Sequence, residues 1–201
     1  MADKEKIRQG VIKALPEAKE IKDEGLRQKV YDAWTMSLAE SGYSRIEDIP
    51  ASGNPDSTVM KTGTQADHLR SVARMSVAVA KELGDTFEEF DVDMDEIMAG
   101  GLCHDLGKSF EFDPKNQERW KSDPRITGFP SVRHSVYGVH IALAAGLPEK
   151  IAHIAGAHSK EGENIERSLA CAIIHYCDHA YWRILAKAGI LEDSGYYKSN
   201  A

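Results

Sequence analysis

His104 and Asp105 are adjacent, so an imidazole nitrogen and a carboxylate can be offered to one small volume. Such a pair can ligate a divalent cation through both side chains, leaving the second carboxylate oxygen to reach another cation. A His-Asp dipeptide alone is weak evidence, because it is common by chance. In this chain it ends an apolar helical run (Ile97, Met98, Leu102) and is followed by Gly107 and Lys108. It also has outlying partners, His68 upstream and His134, His158 and Asp178 downstream. Together these four imidazoles and two carboxylates suit two borderline-to-hard divalent ions such as iron or manganese, one carboxylate bridging them. Structural zinc would use fewer donors and usually thiolates. The cysteines, Cys103, Cys171 and Cys177, have no CxxC spacing and read as buried small hydrophobes.

The members of this set are too far apart in sequence for any local motif to gather them, so packed helices must do it. Helical spacing dominates the chain, strand signals are scarce, and Gly and Pro supply the breaks. Residues 1–40 read as two helices split near Pro16, the second with Leu26, Val30, Trp34 and Leu38 on one stripe. Residues 42–66 read as a long loop leading into His68, a candidate lid. A clear helix follows from about Gln65 to Leu83, with Leu69, Val72, Ser76, Val79, Ala80 and Leu83 on its inward stripe and His68 at its N-terminal end. Next come an acidic solvated turn within 82–96, a helix over Asp93–Cys103, a loop over Ser109–Pro130 and a helix from about Ser131. Gly146-Leu147-Pro148 separates that helix from another ending near His158, and a polar loop leads to a last helix over about Ile165–Ala188. In the last helix Cys171, Ile174, Asp178, Tyr181 and Leu185 share a face. A charge on so apolar a stripe is costly unless partnered, and a metal is a suitable partner.

The expected fold is therefore all-α, a helical bundle over residues 63–201 with an N-terminal helical extension and loop over residues 1–62. Hydrophobic residues make up 42% of the 201, enough for a core without disulfides. A net charge of −7 argues against a nucleic-acid polymer as partner, since phosphate backbones need clustered cations. No apolar run has membrane-spanning length, no signal peptide opens the chain, and the reduced-thiol composition fits the cytoplasm. The apolar spacing over residues 26–38 suits a homodimer contact.

The order His68, His104-Asp105, His134, His158, Asp178, with Gly107-Lys108 after the pair, resembles the HD-domain superfamily of metal-dependent phosphohydrolases, from about Gln65 to Trp182. The added His134 and His158 resemble its dinuclear subgroup. His134-Ser135 with Gly138, and Gly146-Leu147-Pro148, are similar to enzymes that cleave dinucleoside tetraphosphates. No Gly-Tyr-Pro signature follows the ligands, which counts against the cyclic-dinucleotide branch, and Ser159 replaces the second member of a frequent His-His pair. The resemblance implies hydrolysis of a small anionic phosphate ester or anhydride, with nucleotides the leading class. It implies two divalent ions held by His68, His104, Asp105, His134, His158 and Asp178. Asp105 is the expected bridging and catalytic ligand. Lys108 is expected to contact phosphate or assist the leaving group, and Arg133 to bind substrate. A plainer reading of Lys108 pairs it with Asp105, Glu111 or Asp113. His140, His153, His175 and His179 take plainer roles, although His175 could line the pocket. The tryptophans read as packing residues, with Trp120 the best candidate for stacking. Two rival functions stay open: a diiron oxygenase cleaving a C–C or C–P bond, and a regulatory module that binds a nucleotide without turnover.

Overall fold

The helix that leads into the His-Asp pair is apolar on every side from Ile97 onward, and that decides where it lies. Ile97 to Cys103 are all buried, and a helix without a polar face belongs at the centre of a fold. The computed structural model describes residues 4–53, 57 and 59–192. Among them the order is α1 (Lys4–Ala14), α2 (Glu24–Ala39), α3 (Gln65–Thr86), α4 (Met94–Cys103), α5 (Lys108–Glu111), α6 (Pro114–Ser122), α7 (Pro124–Thr127), α8 (His134–Ala144), α9 (Glu149–Ala157) and α10 (Leu169–Lys187). Short 3-10 turns lie at Pro16–Glu20, Ile46–Asp48 and Lys160–Asn164. The described residues hold no strand, only isolated bridges pairing Ser52 with Val59 and Met60 with Leu191. The all-α expectation stands.

Central α4 packs against α2, α3, α9 and α10. Two adjacent glycines allow the close approach. A Cβ on Gly101 would lie 2.6 Å from the Ala73 Cα of α3, and one on Gly100 would lie 2.5 Å from the Ile154 side chain of α9. Helix starts are capped by the residues that the chain places there. Thr64 and Asp67 form a reciprocal capping box on α3, and Asp93 accepts the first N–H groups of α4. The inward stripe of α3 buries Leu69, Val72, Ser76 and Ala80. Val79, expected on that stripe, is exposed, because the helix turns it away from α4.

The N-terminal segment shares the core. One continuous apolar cluster runs from Ile7 to Cys177 and includes Val30, Trp34 and Leu38 at 1% exposure or less. The stripe over residues 26–38, expected as a subunit contact, is thus spent inside its own chain. Glu17, in the first 3-10 turn, accepts from Arg70 Nε at 2.8 Å and Arg74 Nη1 at 2.9 Å, tying the extension to α3.

Several element boundaries differ from expectation. Residues 109–130, read as a loop, hold α6, α7 and most of α5. Their Asp and Pro residues start helices: Asp113 accepts from the Lys115 N–H at 2.8 Å with Pro114 next in line, and Pro124 opens α7. Trp120 is buried in α6, 5.9 Å from the Phe110 ring, so it packs and offers no stacking face. Helix α8 begins at His134, and α10 begins at Leu169 because Ser168 caps it. In the expected lid, residues 54–56 and 58 lie outside the described residues, as do residues 193–201 of the expected second domain. No helix among the described residues is long and apolar enough to cross a membrane.

Two helical glycines should respond oppositely to alanine. Gly101→Ala forces α3 off α4 and should destabilise the fold by about 3 kcal/mol, lowering the thermal midpoint by roughly 10 °C. Gly10→Ala, with open space around the new methyl, should stabilise by about 0.5–1 kcal/mol. Thermal unfolding followed by circular dichroism measures both.

Candidate metal centre

All six residues singled out by their chemistry converge at one end of the bundle. His68 comes from the first turn of α3, His104 and Asp105 from the turn after α4, His134 from the start of α8, His158 from the end of α9 and Asp178 from the middle of α10. His68, His104, Asp105, His134 and His158 are each exposed by 3% or less.

Asp105 organises the cluster. Its Oδ2 lies 3.2 Å from His68 Nε2 and 3.3 Å from His104 Nε2. Its Oδ1 lies 3.5 Å from His134 Nε2 and 3.6 Å from His158 Nε2. Each oxygen therefore faces its own pair of imidazoles. Asp178 joins the first pair, with Oδ1 3.3 Å from His68 Nε2. His134 reaches Asp105 because Gly107 has no side chain: a Cβ there would fall 2.0 Å from the His134 carbonyl oxygen.

The far side of the rings is also organised. His104 Nδ1 lies 2.7 Å from the Gly101 carbonyl, and His158 Nδ1 lies 3.0 Å from the Ala155 carbonyl. His134 Nδ1 lies 2.6 Å from Glu111 Oε2. Each acceptor draws the ring proton to Nδ1 and leaves the Nε2 lone pair aimed at Asp105, the arrangement that metal-ligating histidines use. Glu111 is fully buried and also receives the His134 backbone N–H at 3.2 Å and Arg133 Nη1. Arg133 Nε reaches Glu161 Oε1 at 2.6 Å, so its guanidinium is clamped between two carboxylates beside the pocket.

Lys108 is 2% exposed and lies 3.1 Å from Asp105 Oδ2, with Nζ donating to the Ser52 carbonyl of the 42–66 segment. Of its expected acidic partners, Asp105 is the one engaged. Asp113 instead accepts from the backbone N–H of Gly42 at 2.6 Å. Gln65 Nε2 donates to Asp105 Oδ2 at 2.8 Å. The Trp182 ring lies 4.9 Å from that of His68 and 5.8 Å from Lys108 Nζ. His175 hydrogen-bonds to the His158 carbonyl and stays out of the pocket lining, whereas His179 is part of it. Reading the sequence missed Glu111, Gln65, Trp182 and His179. The first lay in a presumed loop, and no periodic pattern marked the others as facing the centre.

The electrostatics suit a cation. Burial opposes ionisation of Asp105, but Lys108 and then His104 outweigh it and hold the carboxyl well below its ordinary range. Burial dominates at His158, lowering its pKa to about 4, and it also lowers that of His68. At His104 burial again disfavours charge, yet neighbouring Asp105 overrides it and raises the pKa. Asp178 Oδ1 is buried without a hydrogen bond, and the Nε2 atoms of His68 and His104 face one another at 3.1 Å. Two converging ring nitrogens beside an unsatisfied carboxylate oxygen fit a metal ion. Among the described residues, two groupings have donor atoms within 4.8 Å of one another: His68, His104 and Asp178, and His104, Asp105 and His158.

Glu111→Gln keeps the shape but removes the charge that holds the His134 ring. Metal affinity, measured by chelator competition, should fall about 10- to 100-fold, with helix content unchanged.

No curated protein and no solved structure matches the chain. The HD domain family model matches residues 66–181, more than half of the chain. The matched stretch contains the six converging residues, and the helices around them form the all-α bundle expected of that family. The chain belongs to the HD-domain family of metal-dependent phosphohydrolases.

Proposed function

We propose that the protein hydrolyses a small phosphate ester or anhydride at a dinuclear centre held by His68, His104, Asp105, His134, His158 and Asp178. The division of Asp105 supports this reading: one carboxylate oxygen faces the His68 and His104 rings and the other faces the His134 and His158 rings. Four nitrogen and two carboxylate donors, without thiolates, suit iron or manganese. When bound, such ions would acidify a water and polarise a phosphoryl oxygen.

The chain's own groups divide the remaining work. Asp105 supplies the shared negative charge, and Lys108 keeps it ionised. Lys108 is held from both sides, by Asp105 and by the Ser52 carbonyl, so its ammonium sits preorganised at the pocket floor for a phosphate oxygen. Arg133 lines the same pocket, its guanidinium fixed by Glu111 and Glu161. Gly101, Ala155 and Glu111 hold the protons of three rings away from the centre. Resemblance makes nucleotides the first substrates to try.

The test is phosphate or nucleotide release by manganese-loaded protein under nitrogen, across a panel of nucleotides and phosphate esters. Asp105→Ala should lose at least about a thousand-fold in turnover and bind less metal. No release with both ions bound would overturn the hydrolase reading. Substrate-dependent oxygen uptake would then support an HD-type oxygenase, and tight nucleotide binding without product a regulatory module.

Metal loading should also depend on pH in a defined direction. A protonated imidazole cannot ligate, so acidification through the raised pKa of His104 should weaken binding, while His158 stays neutral down to about 4. Loading should therefore release protons, and the number released should fall as the pH rises through the raised His104 pKa. Titration calorimetry in buffers of different ionisation enthalpy reads the difference.

A further inference from the structure

Above the six converging residues lies a cavity of about 250 Å³ whose outer wall the proposed reaction does not use. Lys160 and Arg183 line it, together with Ser159, Glu163 and His179. The outer wall sets the two cations Lys160 and Arg183 against one carboxylate, Glu163, in a chain of net charge −7. The Glu163 carboxylate is engaged by Arg167 Nη2 at 2.8 Å.

The turn that carries Lys160 is rigidly built. Arg167 Nε donates to the Ala157 carbonyl at 2.7 Å, and its Nη2 donates to the Ser159 carbonyl at 3.0 Å. Glu161 is gripped by Ser159 Oγ and Arg133 Nε, each at 2.6 Å. Gly162 is packed so closely that a Cβ would lie 2.1 Å from the Ala157 carbonyl oxygen. The residues on either side of Lys160 are thus fixed, whereas Lys160 has no hydrogen-bond or ion-pair partner among the described residues. A braced backbone carrying an unpaired lysine in a pocket wall is the arrangement expected for an anion contact.

The same wall offers little to a nucleobase. Trp182 is the only indole or phenyl ring lining the cavity among the described residues. It is 6% exposed and packed on His68 and Lys108, leaving no free face for stacking. Resting on the hydrolase reading above, we infer that the substrate is a small phosphate ester carrying a second anionic group, a carboxylate or another phosphate, which Lys160 binds at the outer wall with Arg183 beside it. The scissile phosphate then occupies the floor, near Lys108, and no base is read.

The experiment compares glycerol 2-phosphate, phosphoglycolate, a sugar bisphosphate and adenosine monophosphate as substrates of the manganese-loaded protein. The second anion should raise kcat/KM about ten-fold over glycerol 2-phosphate. Preference between phosphoglycolate and the bisphosphate tells which anion is read. Lys160→Ala should raise KM for the doubly charged esters about ten-fold relative to glycerol 2-phosphate, with kcat little changed, and Lys160→Arg should restore it. Metal stoichiometry and thermal midpoint verify that the variants are folded. Equal use of all esters, a preference for adenosine monophosphate, or an unmoved ratio in Lys160→Ala would overturn the inference. If the wild type turns over none of them, the hydrolase reading falls for this panel and binding decides the outer wall. Stabilisation of the metal-loaded protein by phosphoglycolate beyond methyl phosphate, lost in Lys160→Ala, would sustain it, and equal stabilisation would overturn it.

Discussion

A carboxylate buried among four imidazoles and an ammonium governs this molecule. Asp105 is 2% exposed, and a charge so far from water is tolerable only while its partners stay in place. Those partners arrive from α3, the turn after α4, α5, α8 and α9, so the main helices of the bundle are coupled through one side chain. Removing a single partner of such a buried charge typically costs about 3–5 kcal/mol. Stability and the proposed chemistry therefore share the same atoms.

Helix packing is adjusted to that demand. The nitrogen-to-oxygen spacings of 3.2–3.6 Å around Asp105 leave little room for helices to drift apart. Gly101 lets α3 touch α4, Gly100 lets α9 approach from another side, and Gly107 lets the turn after α4 meet the start of α8. These glycines have ordinary negative φ or helical backbones, so the requirement is for space. The arrangement links backbone approach directly to where the imidazoles end up.

Much of the centre was legible because ionisable residues on apolar stripes are conspicuous. Asp178 betrayed itself in this way, and the His-Asp pair did so by ending an apolar helix. His134 and His158 carried no local signal and rested on the longer pattern. Glu111 stayed hidden for a physical reason: the Asp-Pro punctuation of 109–130 starts helices as readily as it breaks them, and a loop residue was not expected to be buried. Val79 shows the limit of periodicity over a long helix, where the buried arc is set by the neighbours and not by the residue's own polarity. Lys160 could not be singled out at all, since an exposed lysine becomes distinctive only when the turn beneath it is seen to be rigid.

The stretch that matches the family begins after the N-terminal helices, yet those helices reach its most important turn. Trp34 Nε1 donates to the Leu102 carbonyl at 2.8 Å, and Ser37 Oγ donates to the Leu106 carbonyl, one on each side of the His-Asp pair. Both acceptors are backbone groups near the end of α4, where the helix no longer satisfies its own carbonyls. The extension thus serves as an external C-terminal cap for the helix that delivers His104. The matched stretch is therefore not the whole folding unit: its central turn depends on a segment outside the match. Change in residues 24–39 is consequently constrained by the centre on the opposite side of that turn, although none of those residues faces it.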